Sequence, residues 1–316
     1  KLSYKNLRHY RKWWDSFFEQ HKEYKIIHGH IGSTAAIYLS IAKKHGLYTI
    51  AHSHGLKEPI SIRSILYRTL SYRTRFIADQ FFGCSMQALI DRYGEKVALS
   101  SRARVVNNAI DAKLYAFDAR VREDAIKELG LKTNVLTIGT VGRLSSNKNP
   151  HMILEILNDL KNEGFDFQFV WVGDGELKTE IEQEIQRKGL VEQVLMLGVR
   201  ADVPRILQAL DVFLFPSLCE GLGIVAVEAQ AAGLPTLCSN AVPPEAKVTD
   251  LCVYIDLSSI RPWIEEIKKT RVIERKITTS QIIENNYDIN DQAKWLQDYY
   301  YKLSSELNNA GIGGVK

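Results

Sequence analysis

From Val135 to Ile255 the chain repeats one pattern: a short, largely apolar run, a turn, then apolar residues at helical spacing. Val135–Val141, Phe167–Val172, Val194–Gly198, Val212–Phe215, Pro235–Cys238 and Cys252–Ile255 read as strands. Between them, Met152, Ile153, Ile156, Leu157 and Leu160 recur at helix spacing. Glu176–Lys188 reads as a charged surface helix, Asp202 can cap a helix through Leu210, and Ile224–Ala232 is Ala-rich and suited to close packing. Strands that do not alternate apolar with polar residues are buried on both faces, which requires a parallel sheet covered by helices on each side. The expected architecture is therefore α/β and doubly wound, and such sheets bind ligands beyond the carboxyl ends of their strands.

The first third repeats the alternation with fewer strands. Tyr24–Ile27 runs into His28-Gly29-His30, Ser33–Lys44 is helical, and Tyr48–Ala51 runs into His52-Ser53-His54-Gly55. Phe81–Ser85 and Arg104–Val106 complete the set. Four strands make a thin sheet, so the reading expects the first strands of this domain to be missing. The 316 residues suit two domains. These are expected at 1–115 and 116–290, with a final segment, 291–316, whose helix from Asp291 to Leu307 carries Trp295, Leu296, Tyr299 and Leu303 on one stripe and packs back towards the first domain.

Composition narrows the class. Charged residues are 25% and hydrophobic ones 45%, which excludes a disordered or collagen-like chain. No apolar run approaches the ~18 residues of a membrane span. Four scattered cysteines without metal spacing read as reduced thiols, and so as a cytoplasmic protein. Charge is uneven: residues 1–120 hold 20 Lys and Arg against 9 Asp and Glu, and the remainder 21 against 28. A basic first part points to an anionic partner, a membrane surface or a nucleic acid.

The sharpest chemical signal is Pro216-Ser217-Leu218-Cys219-Glu220-Gly221-Leu222-Gly223-Ile224, where a strand ends, an acid and two glycines follow, and a helix begins. Glycines let backbone N–H groups approach a ligand, and the helix aims its unpaired N–H groups and positive dipole end at the same place. Glu228 lies eight residues beyond Glu220, ~12 Å along a helix, too far for a hydrolase acid/base pair but suited to two grips on one long ligand. The plain alternative is a Gly-containing turn and an exposed helix acid. Gly221-Leu222-Gly223-Ile224-Val225-Ala226 also fits a weak dinucleotide fingerprint, but no acid stands at the expected place and Glu220 would repel a pyrophosphate. A second signal is Gly142-Arg143 with Lys148 five residues later, after the first strand of this domain. Two permanent cations there suit a diphosphate, and the alternative is a solvated basic loop.

Taken together, the Gly142-Arg143 to Lys148 loop, Gly173-Asp174-Gly175 and Glu220-x7-Glu228 resemble the donor domain of the retaining glycosyltransferases of family 4, the GT-B fold. Val105-Val106-Asn107-Asn108-Ala109-Ile110-Asp111 is similar to that family's Asn-Gly-Ile-Asp stretch, with Asn-Ala in place of Asn-Gly. The resemblance implies two Rossmann-like domains facing a cleft, with a nucleotide-sugar, UDP-linked, as donor. Arg143 and Lys148 would bind the diphosphate and stabilise the leaving group. Glu220 and the N–H groups of Gly221, Leu222, Gly223 and Ile224 would hold the sugar and Glu228 the ribose, the loop Gly198-Val199-Arg200 would pack near the base, and Gly142 counts among the donor-binding residues. The similar-looking enzymes build bacterial capsular or exopolysaccharides, so the acceptor is expected to be a glycan or lipid-linked oligosaccharide. The family's N-terminal Gly-rich loop has no counterpart here.

The same resemblance places a histidine near the transferred sugar. His52, directly after its strand, is the match, with His54 as the alternative. His28 and His30 end the neighbouring strand, and four histidines at two strand ends could suit zinc, but no carboxylate or Cys stands at ligand spacing. No DxD pair occurs, and neither metal nor cofactor is expected. Ile60–Phe76 is basic, apolar and free of acids. With Tyr10-Arg11-Lys12-Trp13-Trp14 it suggests peripheral binding to the inner face of the membrane, against the alternative of an ordinary amphipathic helix. A nucleic-acid-binding protein and an inactive nucleotide-sugar-binding domain are the competing functions. The first has no recognised reading motif.

Overall fold

The computed structural model describes residues 6–55, 71–270 and 275–309. The chain divides into two compact units, 1–108 with 292–316, and 109–291.

In the second unit the strands are β5 (Leu136–Val141), β6 (Phe167–Val172), β7 (Val194–Gly198), β8 (Val212–Phe215), β9 (Thr236–Ser239) and β10 (Cys252–Ile255). They form one sheet in the order β10-β9-β8-β5-β6-β7, parallel throughout. The chain leaves β5 towards β6 and β7, then crosses back to β8 beside β5. The carboxyl ends of β5 and β8, where the winding reverses, therefore lie side by side. All four residues of β8 are buried, as an unbroken apolar strand between two helical layers must be. On one face the helix Pro150–Asn162 buries Met152, Ile153, Ile156, Leu157 and Leu160 against Ile138, Phe169 and Leu214. Its start is set by Asn149 in the left-handed region and Pro150 at the first helical position. Trp263 fills the same core, its indole N–H donating to the Asp256 carbonyl at 3.0 Å.

In the first unit the strands are β1 (Ile26–Gly29), β2 (Tyr48–Ser53), β3 (Gln80–Gly83) and β4 (Ala103–Val105). Among the described residues they form a four-stranded parallel sheet in sequential order. The helix Leu7–Gln20 packs Trp14 and Phe18 onto one face, together with Tyr38 and Leu47. The helix Ile289–Asn309 covers the other, setting Leu303 and Leu307 against Ile50, Phe82 and Val106.

The first boundary lies at 108/109 rather than after residue 115. Ile110 forms a parallel bridge with Asp288, and its N–H donates to the Tyr287 carbonyl at 2.9 Å, which ties 110–115 to the second unit. Asp202 stands at the start of the helix Val203–Ala209 but does not cap it, since its carboxylate accepts two N–H bonds from Arg200. In the aromatic-basic cluster at the start of the chain, Tyr10 hydrogen-bonds Thr34 and Trp14 is packed inward, while Trp13 is half exposed. Ile60–Leu70, the greater part of the basic apolar segment, lies outside the described residues.

Candidate active site

The described edge of the second unit brings three strand ends together. Gly142, after β5, donates to the Val172 carbonyl at the end of β6, and Gly173 donates to Gly198 at the end of β7. Leu144 donates to Asp174 and accepts from Leu177. The loops pass so closely that a Cβ on Gly173 would stand 1.9 Å from the Gly142 oxygen, at a φ of +135°. Glycine is required there by contact, and the Gly142-Arg143 loop is fixed by it.

Lys148 and Glu220 meet at this edge. Lys148 Nζ lies 2.5 Å from Glu220 Oε1, with side-chain exposures of 23% and 10%. The ammonium also lies 4.8 Å from the centre of the Phe215 ring, the last residue of β8. The two loops are stitched together where Leu218 N–H donates to the Asn147 carbonyl at 2.8 Å. Beyond Glu220 the helix Ile224–Ala231 starts from Gly223 in the left-handed region at φ +83°, where a Cβ would meet Phe215 at 2.7 Å. Leu222 and Gly223 are buried, Gly221 and Ile224 half-buried.

Arg143 borders the same recess as Gly142, Lys148 and Phe215. Its side chain is 71% exposed, and its Nε lies 3.2 Å from Glu176. Of the expected pair of cations, Lys148 is therefore held at the edge by protein contacts, and Arg143 extends into solvent. Glu228 is half-buried and hydrogen-bonded to Tyr115, and burial raises its carboxyl above the ordinary range. Val199 is 79% exposed, and Arg200 is paired with Asp202 at 2.6 Å. Tyr115 and Phe215 were not foreseen as site residues. Phe215 had a signal, as the aromatic closing β8; Tyr115 had none.

In the first unit, His28 lies within β1 and His52 within β2, which runs through Ser53 rather than ending before His52, while His30 and His54 follow those strands. They form two hydrogen-bonded pairs. His28 Nε2 lies 3.0 Å from His52 Nδ1, and His30 Nδ1 lies 2.7 Å from His54 Nε2. The rings of the first pair are nearly parallel, 12° apart, while His52 and His54 stack at 4.0 Å between centroids. His28 Nδ1 bonds the Tyr300 hydroxyl, and His54 Nδ1 lies 3.1 Å from Asn108 Oδ1. Burial, then the neighbouring imidazoles, push the His28 pKa down to about 3 and that of His52 to about 2. Both are thus neutral rings. Ligand nitrogens of His28, His30 and His52 lie within 4.8 Å of one another, near enough to share a cation. The facing nitrogens of His28 and His52 are, however, directed at each other.

No described helix is long and apolar enough to cross a membrane.

Residues 121–252 match the family described as glycosyl transferases group 1. The chain is 27% identical over 298 residues to EpsF of Bacillus subtilis strain 168, covering 90% of this chain and 77% of that protein. It is 30% identical over 232 residues to the UDP-Gal:α-D-GlcNAc-diphosphoundecaprenol α-1,3-galactosyltransferase of Escherichia coli, covering 69% of this chain and 58% of that enzyme. Among solved structures, Anabaena HepE in complex with UDP-glucose superposes with a TM-score of 0.75 at 19% identity, covering 92% of this chain and 82% of HepE. Two parallel α/β units with this match define a glycosyltransferase of GT-B fold. Within that class, the chain resembles the bacterial enzymes of polysaccharide biosynthesis.

Proposed function

We propose that the protein is a retaining, family 4 glycosyltransferase that moves a hexosyl or acetamidohexosyl group from a UDP-sugar to a glycan or lipid-linked acceptor, without a metal. The observation that carries this reading is the Lys148–Glu220 pair, held at the β5 and β8 ends beside the start of the helix Ile224–Ala231. A cation, an acid and a helix start suit, respectively, a diphosphate, a sugar hydroxyl and the oxygens between them. The named substrates of the galactosyltransferase relative and the nucleotide-sugar bound to HepE support the donor class.

In this reading the leaving diphosphate gains negative charge in the transition state, and Lys148, joined by the exposed Arg143, lowers the barrier electrostatically. Arg143 has the freedom to swing from Glu176 onto a phosphate. Glu220 accepts from sugar hydroxyls once Lys148 turns to the phosphates. Gly221 to Ile224 line the helix start, and Gly142 gives the phosphates close access to the loop. Glu228 exchanges its Tyr115 bond for the ribose hydroxyls, and Val199 and Arg200 border the base. His52 offers a ring nitrogen to a hydroxyl of the sugar. Attachment to the inner membrane face, where a lipid-linked acceptor would lie, belongs to the same proposal; equal binding to neutral and anionic vesicles would remove that part.

The test is turnover of a panel of UDP-sugars, read as UDP release with and without acceptor. One donor should be consumed, and both Arg143→Ala and Glu220→Gln should abolish transfer, the first with stability unchanged and the second in a protein that still folds but is less stable for the loss of the Lys148 partner. Wild-type turnover in either variant would refute the site. Donor binding without any turnover would favour the inactive nucleotide-sugar-binding domain.

A further inference from the structure

His52 is 94% buried by its 6% exposure, and its Nε2 has no hydrogen-bond partner among the described residues. A buried, unpartnered ring nitrogen is costly unless something else uses it. What it can do depends on where its proton sits, and that is decided by the other ring nitrogen. Nδ1 of His52 is occupied by His28 Nε2, and His28 Nδ1 by the Tyr300 hydroxyl of the helix Ile289–Asn309. A neutral imidazole has one donor and one acceptor nitrogen, so a single choice at Tyr300 propagates through both rings.

The choice at Tyr300 follows from chemistry. A phenol O–H is a strong donor, and its oxygen a weak acceptor; an imidazole lone pair is the better acceptor. Burial also raises the Tyr300 phenol, which keeps its proton in place. With Tyr300 donating, His28 accepts at Nδ1, carries its proton on Nε2 and donates to His52 Nδ1. The His52 proton is then on Nε2.

We infer that Tyr300 and His28 are positioning residues that fix His52 in the Nε2–H tautomer, making it a hydrogen-bond donor to a ligand hydroxyl or other oxygen rather than a general base. The ligand part rests on the transferase reading above; the tautomer part does not. The second pair supports the logic from an independent contact. Asn108 Oδ1 accepts from His54 Nδ1–H, so His54 Nε2 accepts from His30. Each pair thus has its proton order set by a residue outside it.

The experiment is 15N NMR of the full chain with 15N-labelled histidine, which separates the two neutral tautomers by their ring-nitrogen shifts, with His52 assigned by difference from His52→Gln. In the wild type, His28 and His52 should each show a single Nε2–H form. Tyr300→Phe keeps the ring but removes the donor, and should raise the share of Nδ1–H at His52 by about fivefold, the factor one net hydrogen bond supports. His28→Gln retains an N–H for His52 Nδ1 and should preserve the tautomer; His28→Leu should lose it. A wild-type His52 protonated on Nδ1, or a Tyr300→Phe spectrum unchanged at both rings, overturns the inference. If the tautomers respond as stated and no UDP-sugar is turned over, the transferase reading fails while the relay stands. If turnover is found and Tyr300→Phe lowers kcat by up to the same factor with donor KM unchanged, both hold.

Discussion

Lys148 and Glu220 cannot be altered independently. Each is largely withdrawn from water and their polar atoms are 2.5 Å apart, so removing one leaves the other desolvated without its partner. Lys148→Met should therefore destabilise the second unit by on the order of 3 kcal/mol, whereas Lys148→Met with Glu220→Gln should recover most of that loss. Urea unfolding of the single and double variants measures it, and equal losses would contradict a coupled pair. Arg143 is the counter-case: with its side chain 71% exposed, Arg143→Ala should change stability by less than ~0.5 kcal/mol, so any lost turnover reports on chemistry alone. The sequence made these three residues visible because charged side chains beside glycines at a strand end have few structural reasons to be there. It could not reveal that Lys148 and Glu220 neutralise one another across 72 residues, or that Tyr300 reaches His28 across 272. Those contacts depend on which strands become neighbours, and periodicity carries no information about that.

Among the elements, the helix Ile224–Ala231 is positioned by the residue before it. Gly223 holds φ +83° and leaves only 2.7 Å between an added Cβ and Phe215, so Gly223→Ala meets both backbone strain and overlap. A loss of about 1–3 kcal/mol is expected, with weakened nucleotide binding because the helix start moves. Thermal unfolding with and without UDP would show both effects, and an unshifted midpoint would mean that the turn relaxes freely. The strands were legible for a definite reason: β8 is apolar throughout and β5 and β6 are interrupted only by Thr137, Thr140 and Gln168, and burial on both faces is what such a pattern encodes. The role of Asp202 was not legible, because a residue suited to an N-cap is equally suited to Arg200 two positions earlier, and the bidentate pair prevails. The helix Ile289–Asn309 was predicted from its stripe, yet Tyr300, the residue on it that touches the histidines, lies beside that stripe.

At the scale of the whole chain, the histidine cluster links folding to acidity. His28 and His52 are held neutral by burial, with pKa values of about 3 and about 2 against 6.5 for a free ring. The unfolded chain therefore binds protons that the folded one refuses. The contribution of these two rings to stability is full above pH 6.5 and is lost as the pH drops through the window from there to about 3 for His28 and about 2 for His52. The neighbours around the pair do not reverse this: His30 is lowered for the same reason, and Tyr300, Phe82 and Asn108 bring no negative charge. Glu228 in the second unit is shifted the opposite way by burial and partly opposes the trend, so the informative quantity is the difference between variant and parent. Between pH 7.5 and 5, where most carboxylates stay ionised, His52 alone should cost about 2 kcal/mol, at ~1.4 kcal/mol per unit of pKa shift. Chemical denaturation at the two pH values should show that loss in the parent, and a flatter dependence in a His28→Gln, His52→Gln variant. Parallel curves would show that the rings are protonated in the folded protein, and the neutral, hydrogen-bonded pair would then have to be abandoned.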